Sequence, residues 1–153
     1  PESREKMRQS VIRSQATRKV SQPKYPHSGY REDIGHYVRS RWEANVCRIL
    51  NYLNKPYTYE SSRFEVQDRK GVSMIYLPDL HIEGTNIFIE IKGTHYLGSN
   101  KHLLFAEQYP QYKLGLIDFR TYKALRRKYK SKIPNWDDRN LNDYTVEAQS
   151  KVL

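Results

Sequence analysis

The residues with the clearest potential for chemistry are Asp79, Glu90 and Lys92, which surround a predicted β-hairpin. Residues 80–82 and 87–91 are short and rich in branched apolar side chains, and the Gly-Thr dipeptide between them is typical of a tight turn. A two-residue turn and a four-residue turn give the same strand register, and both place Asp79 directly opposite Glu90. The sequence therefore predicts two carboxylates that face each other on neighbouring strands.

Two facing carboxylates destabilise a hairpin unless something offsets their repulsion. Directly opposed residues have Cβ atoms roughly 4.5–5.5 Å apart, and like charges at that distance repel. A divalent cation is the simplest offset, because carboxylate oxygens are the ligands that Mg²⁺ prefers. Side chains alternate along a strand, so Lys92 shares the face of Glu90 and can hold a water molecule or a phosphate charge there. Ile87, Ile89 and Ile91 are expected to supply the buried face.

A simpler interpretation of the same residues is an exposed sheet face. In that case the two carboxylates pair with nearby Lys or Arg side chains, and Lys92 is an ordinary solvated lysine.

A helix that precedes the hairpin carries a further acid. Residues 38–54 repeat large apolar side chains at helical spacing, which predicts one buried stripe. Glu43 lies on the rim of that stripe, where a glutamate is uncommon. It is expected either to point toward the predicted metal site or to form a surface ion pair with Arg39 at i−4. The stripe consists of Trp42, Val46, Ile49, Leu50 and Leu53.

The remaining segments predict an α/β or α+β fold. The order of helix, several strands, helix, strand and helix is typical of a mixed β-sheet flanked by helices. Beyond the elements above, the predicted strands are 57–60, 63–66, 72–77 and a buried strand at 114–118, and the predicted helices are 101–108 and 122–132.

Composition divides the chain into three parts. Residues 1–29 form a basic arm. Within it, the pattern of residues 3–20 predicts a helix with little apolar face, and two prolines in residues 21–29 indicate a linker. Residues 30–133 form the predicted core, and residues 134–153 form a C-terminal tail.

Positive charge is concentrated at two places in a chain whose formal net charge is +10. Residues 1–31 carry eight Lys or Arg against two acids, and residues 119–132 carry seven without an acid, whereas residues 32–118 have a net charge of −1. This segregation predicts a polyanionic partner, and double-stranded DNA is the expected one. The candidate DNA-binding residues of the core are Arg39, Arg41, Arg120, Lys123, Arg126, Arg127, Lys128 and Lys130.

The single cysteine, Cys47, excludes a disulfide within the chain and a cysteine-rich zinc site. The sequence contains no apolar run of about 18 residues and no signal-peptide pattern. It therefore predicts a cytoplasmic protein that does not contact a membrane and is not secreted.

The order of these motifs resembles that of the PD-(D/E)XK nuclease superfamily. A Pro-Asp pair ending at Asp79 is followed, after ten residues, by Glu-Ile-Lys ending at Lys92, and the helix with Glu43 comes earlier. The resemblance covers roughly residues 38–118 and implies a restriction-endonuclease-like core. It implies that Asp79, Glu90 and Glu43 bind Mg²⁺, for which Mn²⁺ can substitute. It also implies that Lys92 positions or activates the attacking water.

Within the superfamily, the layout is most similar to phage-type homing endonucleases, transposon endonuclease subunits and very-short-patch repair nucleases. The resemblance implies a prokaryotic or phage-encoded endonuclease. Histidines act in the repair type, so His81 and His95 are candidate accessory residues. One active site per chain implies that a double-strand cut requires a homodimer or two sequential nicks. The alternatives are a junction resolvase or RNase on the same scaffold, a non-catalytic nucleic-acid clamp, and a structural RNA-binding protein.

Overall fold

The computed structural model describes residues 27–92 and 100–137, which form a mixed α+β fold. The predicted helix at 3–20 lies outside the described residues. In chain order the elements are β1 (Gly29–Arg31), β2 (His36–Val38), α1 (Arg41–Tyr52), β3 (Tyr57–Tyr59), β4 (Phe64–Gln67), β5 (Ser73–Tyr76), β6 (Leu80–Ile82), β7 (Ile87–Ile91), α2 (Lys101–Gln108), β8 (Lys113–Ile117) and α3 (Phe119–Tyr129), which continues as a short 3₁₀ turn at Lys130–Lys132.

The central sheet has the strand order β3-β6-β7-β8. Its β7–β8 pair is parallel and the other two pairs are antiparallel, which confirms the predicted mixed sheet. Leu80 pairs with Ile89 and His81 pairs with Phe88, so the predicted hairpin register is confirmed. The turn between β6 and β7 has four residues, and Gly84 adopts a φ of 74°, a left-handed conformation that glycine tolerates best.

Helix α1 supplies one face of the core. It begins at Arg41 rather than at residue 38 because Ser40 is its N-cap, and the Ser40 hydroxyl accepts a hydrogen bond from the Glu43 amide at 3.1 Å. Trp42, Val46 and Leu50 of the predicted stripe pack against β6 and β7, whereas Ile49 packs against Tyr129 and Ile133. Leu53 is 40% exposed, so the stripe ends before the predicted helix end.

A second core covers the other face of β7. Phe88 packs with Phe105 of α2 and with Val66 and Tyr76 from the β4–β5 hairpin, while Ile89 packs on the α1 side. Both faces of this strand are therefore buried, whereas the sequence indicated only the isoleucine face. The expectation that 114–118 is a buried strand is wrong, because β8 is the edge of the sheet and buries only Ile117.

Two local features were not predicted from the sequence. The short strands β1 and β2 pair with each other ahead of α1. Helix α3 begins at Phe119, three residues earlier than predicted, because the Asp118 carboxylate caps it by accepting a hydrogen bond from the Thr121 amide at 2.8 Å. Within residues 27–92 and 100–137, no helix has the length and apolar character needed to cross a bilayer.

The buried amide of Asn45 joins α1, α3 and the segment that follows α3. Its Nδ2 donates to the Tyr122 hydroxyl at 2.8 Å and to the Asp137 carbonyl at 2.7 Å. Its Oδ1 accepts from the Asp137 amide at 2.9 Å and from the Arg48 guanidinium at 3.0 Å. The folded structure therefore extends past Ile133, the predicted end of the core, to Asp137.

Replacing Asn45 by Ala is expected to lower the free energy of unfolding by about 2 kcal/mol, because several buried polar partners lose their hydrogen bonds at once. Urea denaturation followed by circular dichroism measures this loss. Asn51→Ala, an exposed position on the same helix, is the matched control and should change stability by less than about 0.5 kcal/mol. Equal effects of the two substitutions would show that the Asn45 network is not important for stability.

Candidate active site

Glu90 and Lys92 lie at the carboxyl end of β7 and contact each other. Lys92 Nζ is 2.8 Å from Glu90 Oε1, and the Tyr76 hydroxyl donates to Glu90 Oε2 at 2.5 Å. The Glu90 residue is only 7% exposed. Two donors from different strands therefore fix the orientation of this buried carboxylate, and one of them is the predicted lysine.

Asp79 lies directly before β6 and reaches across to β7. Its Oδ2 accepts a hydrogen bond from the Ile91 amide at 2.6 Å. Burial raises the pKa of Asp79 to about 8, and the nearby Glu90 charge contributes to the rise. The predicted repulsion between these two carboxylates is therefore present at the site.

Glu43 approaches the same site from the first turn of α1. It is 8% exposed, and its Oε2 accepts hydrogen bonds from the Tyr59 hydroxyl at 2.6 Å and from the Arg39 amide at 2.9 Å. Its charge also raises the pKa of Asp79. Glu43 thus contacts Arg39 through the Arg39 backbone amide, and the Arg39 guanidinium contacts Glu60.

Glu60 is a site residue that was not identified from the sequence. It directly follows β3, whose last pair joins Tyr59 to Leu80, and its amide donates to the Asp79 carbonyl at 2.9 Å. Burial raises the pKa of Glu60, and the charges of Glu43 and Glu90 add to that rise. The register of three adjacent strands thus places Glu60, Asp79 and Glu90 side by side, and we call these three residues the acidic row.

The candidate accessory residue His81 does not join this cluster. His81 stacks on Phe88 with ring centroids 4.5 Å apart, and its Nε2 is 2.8 Å from the Thr85 carbonyl oxygen. This position is at the turn end of the hairpin, whereas the acidic row lies at the opposite end. His95 lies outside the described residues.

The chemistry of the donors suits a hard divalent cation, since the charges of Glu43, Glu60 and Glu90 all act on the Asp79 carboxyl group. Their oxygens are partly held by protein donors, because Tyr76 and Lys92 occupy both oxygens of Glu90. Within residues 27–92 and 100–137, no three Asp, Glu, His or Cys side chains already have metal-binding geometry. A cation would therefore require these side chains to rearrange.

The predicted DNA-binding residues lie in different environments. Arg120, Lys123 and Arg127 line an open groove of about 470 Å³ on α3, and Lys123 Nζ lies 5.0 Å from the centre of the Phe119 ring. Arg126 is half-buried, Lys128 Nζ is 5.3 Å from the centre of the Tyr129 ring, and Lys130 is exposed.

Arg41 is largely buried and paired with an acid. Its Nε is 3.1 Å from the Asp137 carboxylate, and its side chain is 17% exposed. The predicted DNA-binding residues that are exposed are Arg39, Arg120, Lys123, Arg127, Lys128 and Lys130.

Comparison with known proteins identifies no relative. The chain matches no protein-family model, no curated protein and no solved structure. A functional assignment consequently depends on the residues of the site.

Proposed function

We propose that this protein is a Mg²⁺-dependent DNA endonuclease of the PD-(D/E)XK type, with a restriction-endonuclease-like core. The observation that carries the proposal is the pairing of Lys92 with the buried Glu90 beside Asp79, at the ends of two adjacent strands. A structural role does not require a buried, mutually repelling pair of acids next to a lysine. Phosphodiester hydrolysis uses such a group of side chains.

Each residue of the site has a role in this proposal. Asp79, Glu90 and Glu43 would hold Mg²⁺, which supplies charge neutralisation at the scissile phosphate and a hydroxide near neutral pH. Mn²⁺ can substitute for it. Lys92 orients or deprotonates the attacking water, and Tyr76 keeps the Glu90 carboxylate in place through its hydrogen bond.

The proposed substrate is double-stranded DNA, because the chain is strongly basic and because α3 exposes cations along one groove. Homing is the biological role that the motif layout favours, in a cytoplasmic, prokaryotic or phage-encoded protein. A homodimer would allow both strands to be cut in one event.

Incubation with supercoiled plasmid tests the proposal directly. With Mg²⁺ or Mn²⁺ the protein is expected to produce nicked or linear DNA, and with EDTA it should leave the plasmid intact. Parallel reactions with linear duplex, a four-way junction and single-stranded RNA separate this activity from that of a resolvase or an RNase. Intact substrate under every metal condition would exclude the nuclease proposal.

A non-catalytic nucleic-acid clamp on the same fold is the second candidate. The observation that favours it is the engagement of both Glu90 oxygens by Tyr76 and Lys92, which leaves this carboxylate committed to protein donors. A clamp would bind duplex DNA equally well in Mg²⁺ and in EDTA and would not cut it.

Replacing Lys123 and Arg127 together by Gln is expected to weaken DNA binding and to reduce the slope of log K against log salt concentration by roughly 2, since about one counterion is released per phosphate contact. Fluorescence anisotropy across a salt series measures both quantities. The paired substitution Arg69→Gln and Lys70→Gln, at exposed positions between β4 and β5, changes the net charge equally and is the control. The same slope in both double variants would show that the α3 groove does not contact phosphate.

A further inference from the structure

The side chain of Arg39 connects the rim of the candidate site to solvent. Arg39 lies immediately before Ser40, the N-cap of α1. Its side chain is 57% exposed, with Nε 3.2 Å from Glu60 Oε1 and Nη2 3.3 Å from Glu60 Oε2. One guanidinium thus contacts both oxygens of a carboxylate that belongs to the acidic row.

The partner of Arg39 is more buried than Arg39 itself. The Glu60 side chain is 22% exposed, and the Glu60 amide is hydrogen-bonded to the carbonyl of Asp79. Glu60 also lies within the electrostatic influence of Glu43 and Glu90. Arg39 is therefore the more exposed member of an ion pair whose other member lies beside the site.

We infer that Arg39 is a substrate-phosphate contact of this site, and that Glu60 is a positioning residue that holds its guanidinium until a DNA phosphate replaces the carboxylate. The inference rests on the DNA-binding part of the proposed function. An exposed Arg–carboxylate pair contributes only about 0–1 kcal/mol, so its exchange costs little. A phosphate oxygen pair offers the same planar guanidinium a bidentate, charge-assisted contact.

The exchange has a second consequence at the acidic row. When the guanidinium moves to phosphate, it places a positive charge beside the incoming polyanion, at the point where the acids of the site would otherwise repel it. DNA binding then depends on Arg39 itself, and Glu60 competes with DNA for the same side chain. This competition predicts opposite effects for the two single substitutions.

The test measures affinity for a short DNA duplex by fluorescence anisotropy in EDTA, so that cleavage does not interfere. Arg39→Ala is expected to weaken binding about fivefold, and Glu60→Gln to strengthen it about threefold, because Arg39 is released for phosphate. Glu83→Gln, an exposed acid in the β6–β7 turn, controls for the loss of one negative charge. It should strengthen binding by less than Glu60→Gln does.

The double variant Arg39→Ala/Glu60→Gln provides the decisive comparison. If Glu60 acts through Arg39, the double variant binds as weakly as Arg39→Ala alone, and the gain from Glu60→Gln disappears. An equal gain in both backgrounds, or wild-type affinity of Arg39→Ala, would overturn the inference. Urea denaturation of each variant confirms that the fold is retained.

Failure of this inference can be distinguished from failure of the nuclease proposal. Cleavage of plasmid by the wild type together with additive effects of the two substitutions would refute only the role of Arg39 and Glu60. Opposite, non-additive effects without cleavage under any metal condition would support the phosphate contact and leave a DNA clamp.

Discussion

Replacing Lys92 by Ala is expected to lower the rate of DNA cleavage by about a thousandfold, while DNA binding changes by less than about threefold. A positioned proton-transfer group contributes roughly 10²–10⁴ to a rate, and Lys92 is the cation that contacts Glu90 at this site. Single-turnover cleavage of supercoiled plasmid at saturating Mg²⁺ isolates the chemical step from DNA binding. Anisotropy with the same DNA in EDTA measures the affinity separately.

Lys113→Ala is the matched control for this experiment, because Lys113 is an exposed lysine on the neighbouring strand β8. It should cleave at the wild-type rate. Lys92→Arg keeps the positive charge, so its free energy of unfolding is expected to be closer to that of the wild type than that of Lys92→Ala. It should not restore the cleavage rate, since an arginine does not deprotonate water near neutral pH. Wild-type cleavage by Lys92→Ala would remove this lysine from the mechanism.

Replacing Asp79 by Asn is expected to stabilise the metal-free protein at pH 8 and above by up to about 5 kcal/mol. The pKa of Asp79 is raised to about 8 in the folded protein, chiefly by burial, against about 3.9 in an unfolded chain. Between these two values the unfolded chain loses the proton and the folded protein keeps it, so the free energy of unfolding falls as pH rises. Above pH 8 both states are ionised and the loss is complete.

Urea denaturation in EDTA at intervals from pH 4 to pH 9 measures this dependence. The difference in the free energy of unfolding between Asp79→Asn and the wild type should grow as the pH rises. The control Glu83→Gln, which replaces an exposed acid, should show the same pH dependence as the wild type. Mg²⁺ should raise the unfolding midpoint of the wild type but not that of Asp79→Asn, because ligand binding to the folded state adds to its stability. A pH-independent difference would show that Asp79 is already ionised in the folded protein.

Local rules were sufficient to predict the central hairpin of the site. The four-residue turn and the alternation of side chains fix the register between β6 and β7, so the opposition of Asp79 and Glu90 follows from neighbouring residues alone. Helix α2 was predicted with its observed ends for a similar reason, since Pro110 follows it closely. In both cases the determining signal lies within a few residues of the element.

Pairing between distant segments was not predictable in this way. Glu60 joins the acidic row only because β3 pairs with β6, and nothing in the local sequence of β3 specifies that partner. The burial of Phe88 likewise depends on the β4–β5 hairpin and α2, which pack over it from elsewhere in the chain. The ion pair of Arg39 with Glu60 has the same origin.

Cys47 in the α1 core makes the protein convenient for site-specific labelling. It is the only cysteine of the chain, it is completely buried, and burial raises the pKa of its thiol to about 12. A thiol that is neither accessible nor ionised near neutral pH reacts very slowly with maleimides or iodoacetamides. A single cysteine introduced at Glu83, in the exposed β6–β7 turn, would therefore be the only readily modified thiol, and a fluorophore there could be attached without first removing Cys47.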